Sequence, residues 1–190
     1  TSFDRHCQDC TARGFLDTHG VDREAEVRVD RIDPGKNFWK RSLVPAGLSF
    51  FRGLQNALED LNVCSQYGLV ERFDSTVGKG SVFMPFGGKY QDTPMQWMVA
   101  KIPVFSGETD SATIMSYGFS PRLSRWSPFH GGLFAVVEAV SRVVCGGGDH
   151  RKARLSLQEY FEKLGTDKTR WGKPFSALLG AYHALTELGI

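Results

Sequence analysis

The chain has 190 residues, 41% of them hydrophobic and 23% charged, and a net charge of +2 at neutral pH. This length and composition fit one globular domain with a core and a small appendage. The charge is too small to point to nucleic acid, and no run in the sequence approaches the ~20 apolar residues of a bilayer span. The opening TSFDRHCQDC lacks the apolar core of a signal peptide, so no membrane is expected and a cytoplasmic location is. The missing initiator Met, with a stop at Gly189-Ile190 directly after a helical pattern, is what a piece of a longer polypeptide would show.

Residues 1–46 are polar and poorly periodic and read as a connector. Within them DREAEVRVD alternates enough for a short edge strand, and Pro34-Gly35 and Pro45 mark turns. HCQDC pairs Cys7 and Cys10 beside a histidine, as at the start of a zinc site. A closed site needs four ligands, and Cys64 and Cys145 stand alone, so ordinary thiols come first.

Residues 47–190 form the domain proper. GLSFFRGLQNALEDLN predicts a helix with an apolar stripe of Leu48, Phe51, Leu54, Leu58 and Leu61. A further helical turn fits Cys64 to Val70. SVFMPF, MQWMVAKIPV and ATIMSYGF then read as strands separated by GGKYQDTP and SGETD. SPFHGGLFAVVEAVSRVV predicts a helix capped by Ser127 and opened by Pro128. Its expected buried stripe is Leu133, Val136, Val137, Val140 and Val144, and Gly146-Gly147-Gly148 ends it. ARLSLQEYF fits a strand and GTDKTRWGKP a loop. Pro174 is expected to open a last helix whose face is Phe175, Leu178, Leu179, Tyr182 and Leu185 or Leu188. The order gives an α+β fold, a mixed or antiparallel sheet packed on helices.

The glycines of ERFDSTVGKGSVFMPFGGKYQ raise the question of phosphate binding. No G-x-x-x-x-G-K-[ST] run occurs, and strand rather than helix follows the glycines, which excludes the P-loop and dinucleotide patterns. A turn entering a strand is the first reading. The functional reading lets the backbone at Gly78 and Gly80 approach an anion, with Lys79 as a point charge. His130 near Ser127 invites a catalytic role, but no acidic partner is identifiable and a packed histidine at a helix start comes first. Glu138 and Arg142 stand four apart and read first as an exposed ion pair; the second reading makes Glu138 a magnesium ligand together with phosphates. The dispersed Trp39, Trp97, Trp126 and Trp171 read as core or interface residues, and GGGDHRK as a helix-ending loop. No catalytic constellation emerges.

The string GLVERFDSTVGKGSVFMPFGGKYQDTPMQWMVAKIPV resembles the middle of the large, single-chain phosphoribosylformylglycinamidine synthases of purine biosynthesis. The resemblance continues from TDSATIMSYGFSPRLSRWSPFHGGLF to the end of the chain and covers residues 47–190 densely. It implies an aminoimidazole-ribonucleotide-synthetase N-terminal-like domain from the second of two tandem halves. It also implies pairing with the pseudo-equivalent domain of the same full-length chain, sheet to sheet. The intact family enzyme is a ligase that uses ATP, magnesium and glutamine to convert formylglycinamide ribonucleotide to the amidine. Its ammonia comes from a separate glutaminase domain.

In that resemblance the half represented here holds ADP and magnesium as an auxiliary nucleotide site. Arg72, Asp74, Gly78 and Gly80 fall beside it, with Ser75 and Thr76 in the same run, and Glu138 matches the magnesium-binding glutamate. The match is imperfect. Arg142 stands at a family asparagine, Gln96 at a strand aspartate, and Gln66 or Tyr67 at a lysine. Arg142 would repel the ion or occupy its place against Glu138, so a weakened or lost nucleotide site is expected. A scaffold-like domain, inactive alone and dimeric when isolated, is the expectation. A free-standing nucleotide-binding module is the alternative, and a stand-alone ATP-dependent ligase is poorly supported.

Overall fold

The computed structural model describes residues 26–36, 47–61, 63–73 and 80–190. Cys7, Cys10, Trp39, Pro45, Asp74, Ser75, Thr76, Gly78, Lys79 and the start of the expected edge strand lie outside the described residues. Helix α1 spans Phe50–Glu59 and α2 Tyr67–Phe73. The two-residue strands β1, Phe86–Gly87, and β2, Thr93–Pro94, form a small hairpin, with Gly88 and Gln91 at positive φ in its turn. Strands β3, Trp97–Lys101, and β4, Ala112–Ser116, pair antiparallel with Val99 opposite Ile114. Helices α3, Pro121–Trp126, α4, Pro128–Cys145, and α5, Lys168–Leu188, complete the order. The molecule mixes helices with small antiparallel sheets, as the α+β expectation requires.

Period-two alternation gives the larger sheet two unlike faces. Trp97 and Val99 of β3, with Ile114 and Ser116 of β4, turn toward α4. There the Ser116 hydroxyl donates to the Ala139 carbonyl at 2.7 Å. Met98 and Met115 sit opposite each other on the other face, and both are exposed. On the free side of β3, Gly80 and Val82 add a short third run: Lys101 N–H donates to the Gly80 carbonyl at 2.7 Å and Val82 N–H to the Val99 carbonyl at 2.8 Å. Only the first two residues of the expected strand SVFMPF reach β3, and only its last enters β1; the bend between them turns the chain from one sheet to the other.

Helix α4 is built as its sequence predicts. The Ser127 hydroxyl accepts from His130 N–H at 3.3 Å, and Pro128 occupies the first turn, where its missing N–H costs nothing. At the far end Gly147, at φ +92°, lets Gly148 N–H donate back to the Val143 carbonyl at 2.9 Å. Val136 and Val140 are buried and Leu133 and Val137 half-buried, whereas Val144 is exposed past the core. By length and composition α4 could cross a membrane, with mean hydropathy 1.2. Here it packs against α5, α3 and β4 and carries a charged pair.

The α4–α5 contact corrects the sequence reading of the last helix. Phe175, Leu178, Leu179 and Tyr182 are exposed, while Leu185 and Leu188 of the expected face do pack on the core; the buried face is Gly172, Ser176, Gly180, Ala181 and Ala184. A Cβ on Gly180 would stand 1.9 Å from the Phe129 carbonyl oxygen, and one on Gly132 2.2 Å from that of Ala177. The helices approach until backbone touches backbone, and only small residues allow that. Helix α5 also begins earlier than expected. Asp167 caps it by accepting from Thr169 N–H at 2.8 Å and Arg170 N–H at 3.3 Å, so GTDKTRWGKP is largely helical and Pro174 lies inside. Residues 153–161, expected as a strand, run without a partner strand; Leu155 packs on the α4–α5 core.

Two further expectations change. The stripe of α1 is not covered: Phe51 is 80% and Leu61 81% exposed, and Leu48, Leu54 and Leu58 are exposed with them. Helix α3, which the sequence reading missed, is signalled by Ser120-Pro121 and buries Leu123. Residues 26–36 form no edge strand among those described but dock on the helices. Arg28 N–H donates to the Lys168 carbonyl at 3.1 Å and Trp126 Nε1 to the Asp33 carbonyl at 3.1 Å.

Candidate functional site

Glu138 and Arg142 lie one turn apart on α4, on the side that meets the exit of β4. They are not the solvent-exposed pair expected from spacing. Arg142 keeps only 15% of its side-chain surface exposed, against 38% for Glu138. The guanidinium donates from Nη2 to Glu138 Oε1 at 2.7 Å, from Nη1 to the Tyr117 carbonyl at 2.5 Å, and from Nε to Gln96 Oε1 at 3.2 Å. Its Cζ lies 4.9 Å from the centre of the Tyr117 ring, within cation–π range. The second carboxylate oxygen, Glu138 Oε2, accepts from Phe119 N–H at 3.0 Å. Gly118 between them fits because a Cβ there would meet the Ala135 carbonyl oxygen at 2.0 Å.

Magnesium does not fit this arrangement. A divalent ion needs free oxygen ligands and a net negative surround, whereas here both Glu138 oxygens are engaged and a cation already faces them. Gln96 contributes an amide oxygen without charge. Among the described residues no group of three His, Cys, Asp or Glu side chains is placed to hold a metal.

The other candidates lie elsewhere. Gly80 pairs with the Lys101 end of β3, while Gln96 and the Glu138–Arg142 pair sit at the opposite end. At roughly 3.3 Å per residue the strand separates them by about 15 Å. Arg72 is exposed in the last turn of α2. Near it a shallow cleft of about 290 Å³ is lined by Tyr67, Val70, Glu71, Met84, Pro85, Phe86 and Gln91. A hydrogen bond to Glu71 pushes the Tyr67 phenol above its ordinary value, and the Tyr67 ring lies 4.4 Å from that of Phe86. Sequence reasoning missed this cleft, because its lining comes from a helix and a hairpin that no spacing rule joins.

His130 has a structural environment. Its Nδ1 is 2.7 Å from the Ser127 hydroxyl, and its ring stacks on Trp126 at 5.5 Å. Ser127 is fully buried, so its hydroxyl is closed to a substrate and serves the helix cap. Cys64 and Cys145 are free thiols.

Comparison with protein-family models, with curated proteins and with solved structures finds no match to this chain.

Proposed function

We propose that the chain is a scaffold-like domain of a phosphoribosylformylglycinamidine-synthase-type ligase, as the resemblance of residues 47–190 implies. In the intact enzyme, ATP and glutamine drive conversion of formylglycinamide ribonucleotide to the amidine. This domain completes the assembly by pairing its sheet with a counterpart in the same full-length chain, works in the cytoplasm, and is inactive alone. The observation that supports this most is the one-sided sheet. Helix α4 covers one face, while Met98 and Met115 lie bare on the other. An apolar sheet face of that kind is what a partner surface covers.

A free-standing nucleotide-binding module is the second reading, favoured by the cleft beside Tyr67. The mass of the native gene product separates the two. An antibody against the chain is expected to detect, in source cells, a polypeptide several times heavier than 21.2 kDa. A product at that mass itself would put the module first.

A further inference from the structure

We infer that the cleft between α2 and the β1–β2 hairpin binds a small organic ammonium ion. Its volume of about 290 Å³ suits a small ligand, and most of its lining is apolar: Val70 from α2, with Met84, Pro85 and Phe86 where the chain enters β1. Two aromatic rings meet there. Those of Tyr67 and Phe86 lie 4.4 Å apart, centre to centre, and are inclined at 53°, so they form a corner instead of lying flush. Ring quadrupoles in such a corner attract a cation. The polar groups have the matching sign. Among the described residues the lining carries one carboxylate, Glu71, one amide, Gln91, and no basic side chain. Glu71, first by its hydrogen bond and then by its charge, raises the Tyr67 phenol, and Asp92 pushes the same way. Both charges acting on the phenol are therefore negative. One hydrogen bond does not saturate a carboxylate, which has about four acceptor sites, so an N⁺–H donor finds lone pairs there.

Gln91 adds a second acceptor. It is held at φ +57°, a left-handed conformation that favours glycine, and its Nε2 donates to the Gly88 carbonyl at 3.0 Å. That bond occupies the amide nitrogen and leaves Oε1 as an acceptor. Side chains kept at strained backbone positions cluster at ligand sites. An anion is disfavoured by the same carboxylates, so the phosphates of a nucleotide would lie outside this cleft. The inference stands on the cleft's own residues, and the assignment to a synthase does not affect it.

The probe is n-butylammonium, titrated into the 190-residue chain while NMR follows the Phe86 amide and the Val70 methyl groups. Butanol and butyrate serve as neutral and anionic matches of the same length, a comparison that needs no variant. The ammonium is expected to bind about tenfold more tightly than either. Glu71→Gln keeps the shape and removes the charge, and should weaken ammonium binding about tenfold; Tyr67→Leu removes one ring and should weaken it about threefold. N-acetyl-lysine methylamide separates two sources of the same chemistry. Tighter binding than n-butylammonium assigns the cation to a protein lysine and weaker binding to a free amine, and both results support the site. Butanol or butyrate binding as tightly as the ammonium would overturn the inference. So would an unchanged ammonium affinity in a folded Glu71→Gln protein, or cleft resonances that stay still at about 50 mM probe.

Discussion

Ser127 shows how much a single side chain organises here. Its hydroxyl caps α4, contacts His130 Nδ1 at 2.7 Å, and is fully buried between α3 and α4. Ser127→Ala removes the cap acceptor and leaves the imidazole nitrogen without its neighbour. The expected loss is about 1 kcal/mol or somewhat more in urea unfolding. An unchanged midpoint would mean that the hydroxyl contributes nothing net. At the surface, Lys173 ion-pairs with Glu162 and holds its carboxyl below the usual carboxylate range; Arg151 does the same to Asp149. For carboxylates with depressed folded values, the stabilisation is present above the ordinary unfolded pKa. It disappears as pH falls through the lowered folded one. Titration by NMR should find both carboxyls below their ordinary values. Lys173→Met should raise Glu162 toward its ordinary value, short of it where the backbone hydrogen bond and Arg170 still act, and leave Asp149 where it was. Movement of both would contradict the pairing.

At the level of elements, the α4–α5 contact depends on glycine. Gly180→Ala puts a methyl against the Phe129 carbonyl and is expected to destabilise by about 1–3 kcal/mol. Gly68→Ala in α2 meets nothing within 4 Å and should stabilise by up to about 1 kcal/mol through helix propensity. Equal effects from the two substitutions would argue against close helix contact. The same pair of helices shows what the sequence could and could not reveal. Helix α4 was legible because its signals are local: Ser127-Pro128 at the start, valines at helical spacing, three glycines at the end. The buried face of α5 was not, because apolar periodicity points to Phe175, Leu178 and Tyr182, while packing distance selected Gly172, Gly180, Ala181 and Ala184. Residues 153–161 have strand-like alternation, but a strand needs a neighbour, and no local pattern tells whether one is there. Glu138 and Arg142 were legible as a pair from their spacing. The covering of Arg142 was not, since it depends on Tyr117 and Gln96 arriving from the sheet.

Across the whole molecule the buried aliphatic side chains among the described residues are few: Val99, Leu123, Val136, Val140, Ala181 and Ala184. Large apolar groups stand outside them, among them the stripe of α1, the Met98–Met115 face of the sheet and the outer face of α5 with Phe175, Leu178, Leu179 and Tyr182. Such surfaces drive association. The isolated chain is expected to dimerise through the sheet face, with sedimentation showing a dimer at micromolar concentration. Met115→Glu should shift it to monomer, because an introduced carboxylate would be desolvated on pairing. A dimer insensitive to that change would move the interface elsewhere, with α1 the next surface to examine.

The synthase assignment is tested most directly by immunodepletion. Antibody against this chain is used to strip its parent protein from a source-cell extract. ATP- and glutamine-dependent conversion of formylglycinamide ribonucleotide is then assayed in supernatant and precipitate. The activity is expected to leave the supernatant and appear with the precipitated protein. Full activity remaining in an extract shown to be free of the chain would contradict the assignment.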